Sequence, residues 1–153
     1  MRLDVVAPVT GRVVAMSAVA DPVFAQEIVG PGAAVIPGQE GVVRALAPVA
    51  GRIRSLHPHA FVVAAPEGPS VLVHLGLDTV SLRGRGFTLE AERDADVAAG
   101  DPVISWSPAE VRGQGLDPVV PVVILEAGAL RLVGLVPAGE RVEAGEPLLR
   151  LED

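Results

Sequence analysis

Cysteine, lysine and tyrosine are absent from the 153 residues, and the aromatic complement is three phenylalanines and one tryptophan. Without cysteine there are no disulfides, no thiolate metal sites and no cysteine nucleophile, a composition compatible with the cytosol. Without lysine, any cation near a site must be an arginine or a protonated histidine. With so few aromatics, Val, Leu and Ala must fill the interior, and half of the chain is apolar. A basic stripe is also missing. The formal net charge of −7 argues against a nucleic-acid partner, which would need cations to neutralise phosphates, and suits a basic protein partner instead. No apolar run is long enough to span a bilayer. The opening Met1-Arg2-Leu3-Asp4-Val5-Val6 carries an acidic residue, with Pro8 close behind, and so reads as neither a signal peptide nor a membrane anchor. At this length the expectation is one domain, residues 1–153, with one substantial core.

What is present is punctuation. Seventeen glycines and fourteen prolines leave few stretches long enough for a helix. Runs such as Val42–Leu46, Val62-Val63, Val71–Val73 and Val119–Leu125 favour strands. The reading is all-β, with one short helix around Pro108–Arg112. Two internal echoes point to duplication. Ala7-Pro8-Val9-Thr10-Gly11-Arg12-Val13-Val14 returns as Ala47-Pro48-Val49-Ala50-Gly51-Arg52-Ile53-Arg54, and Ala95–Val103 returns as Glu140–Leu148. Each copy reads as strand, glycine turn with positive φ, strand. Similar units occur in biotinyl and lipoyl carriers, but those need a modified lysine, which excludes that function here.

Two of the three histidines fall in a hairpin pattern: Leu56–Ala65, a Pro66-Glu67-Gly68-Pro69 reversal, then Ser70–Gly76. A turn centred between Pro66 and Glu67 sets Val63 against Ser70, Phe61 against Leu72 and His59 against His74, with opposed Cβ atoms about 5 Å apart. His57 then falls on the same face as His59, opposite Gly76. A slip of one residue would separate the two rings. Neutral imidazole keeps a free ring nitrogen and is a usable nucleophile near pH 7. Two such rings on apolar strands can divide the work, one attacking and the other donating a hydrogen bond, in a dish that excludes water under a docked partner.

The segment Val73-His74-Leu75-Gly76-Leu77-Asp78-Thr79-Val80, followed by Leu82-Arg83-Gly84-Arg85-Gly86-Phe87, resembles the signature of the glucose-type enzyme IIA components of the bacterial sugar phosphotransferase system. Ala7–Gly11, Asp21–Ala25, Ile28–Gly32, Ala47–Gly51, His59–Phe61, Ala99–Val103 and Pro121–Val123 agree in the same order. The resemblance implies an antiparallel β-sandwich of the barrel-sandwich hybrid type, built by duplication, with at most short helices. It implies a cytoplasmic phosphotransferase component without a cofactor. His74 would accept a phosphoryl group through Nε2 from the histidine-containing phosphocarrier protein and pass it to a cysteine of a IIB domain, supporting sugar uptake. His59 would stabilise the group, and the Gly76 carbonyl would orient His74. Asp21, Phe24, Phe61, Leu72 and Asp78 would form the partner-binding surface, the two carboxylates at its rim. Relatives of this kind also bind and inhibit transporters and metabolic enzymes. Many of them carry threonine where this chain has His57, which would then either contact the phosphoryl group or remain a surface residue.

One rival shares the residues. Lysostaphin-type zinc peptidases combine His-x-His with His-x-x-x-Asp, and His57, His59, His74 and Asp78 supply both halves in inverted order. No intrinsic metal site is expected otherwise, although His59 and His74 could share a zinc ion with a partner's carboxylate.

Overall fold

A computed structural model describes residues 1–38 and 41–153. Its centre is an antiparallel sheet containing β2 (Gly11–Ala15), β3 (Gly32–Pro37), β5 (Gly51–His57), β6 (Ala60–Ala64), β7 (Ser70–His74), β9 (Asp96–Val97), β11 (Val120–Leu125) and β13 (Arg141–Val142). The spatial order is β13-β2-β3-β11-β7-β6-β5-β9. Two three-stranded sheets accompany it. One joins β1 (Arg2–Val6), β14 (Pro147–Glu152) and β12 (Arg131–Gly134), and the other joins β4 (Val43–Leu46), β10 (Pro102–Trp106) and β8 (Phe87–Leu89). Among the described residues helix is confined to α1 (Pro22–Ala25), α2 (Pro108–Gly113) and two 3-10 turns, Met16–Ala18 and Thr79–Leu82. The all-β reading and the helix near Pro108 hold. Helix α1 was not anticipated; Asp21 caps it by accepting the Val23 N–H at 2.9 Å, and Pro22 opens it with the φ a first turn needs.

The strand order of the large sheet is symmetric about the β11–β7 pair, and the two small sheets match strand for strand. The repeated sequence blocks lie in corresponding places. Ala7 donates its N–H to Glu146 O and Ala47 to Asp101 O, both at 2.8 Å, while Gly145 donates to Ala7 O and Gly100 to Ala47 O, both at 2.9 Å. The glycines serve two purposes. Gly100 and Gly145 take φ of +93° and +90°, as a glycine turn requires. Gly11 and Gly51, expected to do the same, have ordinary φ. A Cβ there would stand 2.1 Å from Ile36 O and 2.0 Å from Ala64 O, so these two exist for close approach of the neighbouring strand.

The alternation along β6 and β7 separates two apolar clusters. Phe61, Val63, Val71 and Val73 face the main core, where Ile53, Val122, Trp106 and Leu148 are also sealed from solvent. Leu72 points to the opposite face and packs on a smaller cluster of Met16, Val19, Phe24, Ala34, Leu77, Val119 and Val123. Three members of that cluster come from the long connection between β2 and β3. The corresponding connection between β5 and β6 is only the turn Pro58-His59. This inequality between equivalent loops creates the site. One loop is long enough to lay Phe24 over the sheet, and the other is short enough to leave the end of β7 open.

Candidate functional site

The hairpin forms, but one residue away from the expected register. Ala60 faces His74, Phe61 faces Val73, Val62 faces Leu72 and Ala64 faces Ser70. The reversal spans Ala65–Pro69 and centres on Glu67, held by weak bonds from Ala65 N to Pro69 O and Gly68 N to Ala65 O. His59 therefore stands opposite Leu75, which donates its N–H to His59 O at 2.8 Å. Strict alternation would send the His59 ring into the core. It does not go there, because His59 belongs to the turn before β6 and its side chain is released from the pleat. The rings meet, with centroids 5.2 Å apart and planes at 76°. The expected contact is real and the expected route to it is not. His57, placed opposite Gly76 by the sequence, instead pairs with Ala60 at the end of β5, exposed, with its ring 6.0 Å from that of His59.

The duplication supplies an internal control. The bond from Leu75 N to His59 O is matched by one from Ile124 N to Pro31 O, also 2.8 Å. His59 thus corresponds to Pro31, and His74 to Val123. Val123 is fully buried beneath the long loop. The same backbone occurs twice, and only one copy carries imidazoles.

His74 ends β7, partly buried, with the Phe24 ring 5.3 Å away. Its Nδ1 lies 2.6 Å from Gly76 O, so Nδ1 carries the proton and donates it, leaving Nε2 as the free lone pair. Burial pushes the His74 pKa below the ordinary histidine value of 6.5, against the opposing pull of the Gly76 carbonyl, Asp21 and Asp78. Burial likewise lowers His59, and the neighbouring imidazoles of His74 and His57 work in the same direction, since a second proton among them is repelled. Both rings are accordingly neutral at pH 7.

Gly76 earns its place sterically. It has φ of +83°, and a Cβ would meet Thr79 Cγ2 at 2.7 Å and Asp117 O at 3.0 Å. Gly76→Ala is expected to cost about 1–3 kcal/mol of stability through backbone strain, and to turn the carbonyl away from Nδ1. Thermal denaturation and the ring ¹⁵N shifts of His74 measure the two effects separately.

The surface residues divide. Phe24, expected on the partner-binding surface, packs against the His74 ring and is only 7 % exposed, and Leu72 packs half-buried against the cluster that holds Phe24. Phe61 is a correction: it lies on the core face of β6, 1 % exposed, and cannot touch a partner. Asp78 is exposed in a left-handed conformation just before the Thr79 turn, and Asp21 spends one oxygen on its helix cap. With Leu77 and Asp117 they line a cleft of about 390 Å³. Sequence reasoning did not assign Thr79, although it lies in the quoted signature, or Asp117, whose only signal is the Asp117-Pro118 turn pair. Among the described residues, no group of three or more His, Cys, Asp or Glu side chains could hold a metal ion, so the four ligands of the zinc-peptidase alternative do not converge.

Comparison with known proteins agrees with this geometry. The family model described as phosphoenolpyruvate-dependent sugar phosphotransferase system, EIIA 1, matches residues 3–130. The glucose-specific EIIA component of Oceanobacillus iheyensis is 36% identical over 146 residues, covering 94% of this chain and 86% of that protein. The glucose-specific EIICBA component of Streptococcus pneumoniae is 40% identical over 131 residues, covering 84% of this chain but 18% of that protein. The mannose-specific EIIBCA component of Corynebacterium glutamicum is 37% identical over 140 residues, 90% of this chain and 20% of that protein. The solved structure of glucose permease IIA from Mycoplasma capricolum superimposes with a TM-score of 0.90 at 32% identity, covering 99% of this chain and 97% of that one. A duplicated β-sandwich with this likeness is a IIA phosphocarrier component. The chain belongs to the EIIA 1 family of the phosphoenolpyruvate-dependent sugar phosphotransferase system, glucose type. In two of these relatives the matching part sits in one chain with IIB and IIC components. No helix among the described residues is long and apolar enough to cross a membrane.

Proposed function

We propose that residues 1–153 act as one cytoplasmic IIA domain whose His74 carries the phosphoryl group on Nε2, with His59 holding its oxygens. The observation that carries this reading is the short bond from His74 Nδ1 to Gly76 O, which leaves Nε2 as the nucleophile. The donor is the histidine-containing phosphocarrier protein. As the N–P bond of the donor breaks, its imidazole recovers the electron pair, and the Nε2 lone pair of His74 forms the new N–P bond. No proton need leave His74. The product ring is substituted at both nitrogens and cationic, so its Nδ1–H binds the Gly76 carbonyl more strongly. Asp21 and Asp78 favour that cation from the rim. Transfer of this kind depends on positioning and charge stabilisation, with little covalent work left to the protein. In the second half-reaction a IIB cysteine thiolate attacks phosphorus and His74 departs as the neutral imidazole.

Partner docking draws on the apolar Val23 and Val80, 44% and 64% exposed, on the same two segments as Asp21 and Asp78. The acidic rim suits a basic partner. The test is incubation with phosphoenolpyruvate, enzyme I and the histidine-containing carrier, followed by mapping of the acid-labile phosphate. The expected location is Nε2 of His74; phosphate on His59, or none at all, would overturn the assignment. The pH dependence follows from the lowered pKa. Protonation of His74 blocks Nε2, so the acceptance rate is flat at and above neutral pH and falls on acidification, with a midpoint below 6.5 read from single-turnover rates.

A further inference from the structure

The Gly76 carbonyl that fixes the tautomer of His74 is itself held by residues that never touch the imidazole. Both peptide groups flanking Gly76 are tied at both ends. In the first, the Leu75 carbonyl accepts from the Thr79 hydroxyl at 2.8 Å, and the Gly76 N–H donates to Val119 O at 3.0 Å. In the second, the Gly76 carbonyl accepts from His74 Nδ1, and the Leu77 N–H donates to Asp117 O at 2.8 Å. The two outer carbonyls belong to one turn, whose shape is kept by the Asp117 carboxylate accepting the Val119 N–H at 2.9 Å.

Thr79 stands out in this set. It is 1 % exposed, one of three buried polar side chains among the described residues. Its hydroxyl is committed to a carbonyl in the turn that follows His74, and its methyl lies 2.7 Å from where a Gly76 Cβ would stand. A valine would fill the same space and leave the Leu75 carbonyl buried without a donor, which a buried acceptor tolerates poorly. That peptide could regain a partner only by rotating, and rotation about Gly76 moves the Gly76 carbonyl with it.

We infer that Thr79 is a positioning residue for phosphoryl transfer: its hydroxyl locks the Leu75–Gly76 peptide, so that Gly76 O receives the Nδ1 proton of His74 and Nε2 faces the partner. Asp117 closes the lock from the other side. The inference rests on the phosphocarrier reading above for its effect on rate, but its effect on the tautomer does not depend on that reading.

The test compares Thr79→Val, Thr79→Ser and Asp117→Ala in the full chain. Two readouts are used: ring ¹⁵N chemical shifts of His74, which report the tautomer, and single-turnover phosphorylation at varied donor concentration. Thr79→Val is expected to give a mixed tautomer and a maximal rate lowered about tenfold, as loss of a group that orients a histidine does elsewhere, with half-saturation by the donor unchanged. Thr79→Ser keeps the hydroxyl, and is expected to restore the wild-type tautomer and most of the rate. Asp117→Ala, at an exposed position that leaves the core intact, should shift the tautomer in the same direction. Wild-type ¹⁵N shifts in both Thr79→Val and Asp117→Ala would overturn the inference. So would a Thr79→Ser protein as impaired as Thr79→Val, since packing of the methyl would then be the cause. If Thr79→Val does not fold, the other two variants decide: wild-type ¹⁵N shifts in Asp117→Ala, or a mixed tautomer in Thr79→Ser, would each overturn the inference. A changed tautomer with no phosphorylation of the wild type would sink the phosphocarrier reading while leaving the lock in place.

Discussion

His74→Ala is expected to take up no phosphate from the phosphorylated donor, with the fold retained. His59 cannot replace it, although it lies one ring away and is also neutral at pH 7. Among the described residues only His74 has a ring nitrogen tied to a backbone carbonyl, and only a ring fixed in that way presents one defined lone pair to phosphorus. The loss should be complete at the sensitivity of radiolabelling, because among the described residues no other imidazole is fixed in this way and the chain has neither cysteine nor lysine. Stability should change little, by about 1 kcal/mol. The imidazole packs against Phe24 with its plane tilted by 58°, but its burial already disfavours the charged form, so removing it relieves a desolvated group as well as deleting a contact. Circular dichroism and a thermal melt separate the loss of chemistry from a loss of fold. Retained label at the wild-type level would remove His74 from the mechanism.

The histidine pair was legible in the sequence, but the path to it was not. Pro66 and Pro69 announce a reversal, yet they do not say whether four or five residues form it, and one residue decides every cross-strand partner in a period-two structure. Phe61, placed on the partner surface by resemblance, in the actual register faces Val73 inside the core. The pair survived the slip because Pro58-His59 forms a turn whose side chains obey no alternation. Duplication was visible in the repeated Ala-Pro-Val-x-Gly blocks, but its most useful consequence, that Pro31 and Val123 are the counterparts of His59 and His74, needs hydrogen-bond partners that no local pattern encodes. The clamp on Gly76 was out of reach for a related reason. Asp117 and Val119 lie some forty positions along the chain from the turn they hold, and only sheet closure brings them to it. The short helix α1 did leave a local trace, Asp21-Pro22, which a capping argument would have read.

His59→Gln is expected to divide the two half-reactions. Acceptance on His74 should remain within several-fold of wild type, since a glutamine amide can still donate one hydrogen bond to a phosphoryl oxygen. Onward transfer to the IIB cysteine should fall about 100-fold or more, the range typical of losing a group that supplies charge or a proton in the transition state. The reasoning turns on a change of sign. In the free protein, burial above all, with His74 and His57 alongside, disfavours a proton on His59. A phosphoryl dianion placed on Nε2 adds two negative charges beside the same ring, reversing the balance and raising the His59 pKa, so that His59 binds a proton as the group arrives. The resulting imidazolium bonds to the phosphoryl oxygens and stabilises the charge as it redistributes toward the departing His74 and the attacking thiolate. Glutamine cannot make that change. NMR titration of His59 before and after phosphorylation should show its pKa moving upward, and rapid-quench measurement of each half-reaction should show the loss confined to the second. If His59→Gln delivers phosphate at the wild-type rate, or if the His59 titration is insensitive to phosphorylation, then the second ring only packs against the first, and His74 with its carbonyl clamp carries the chemistry alone.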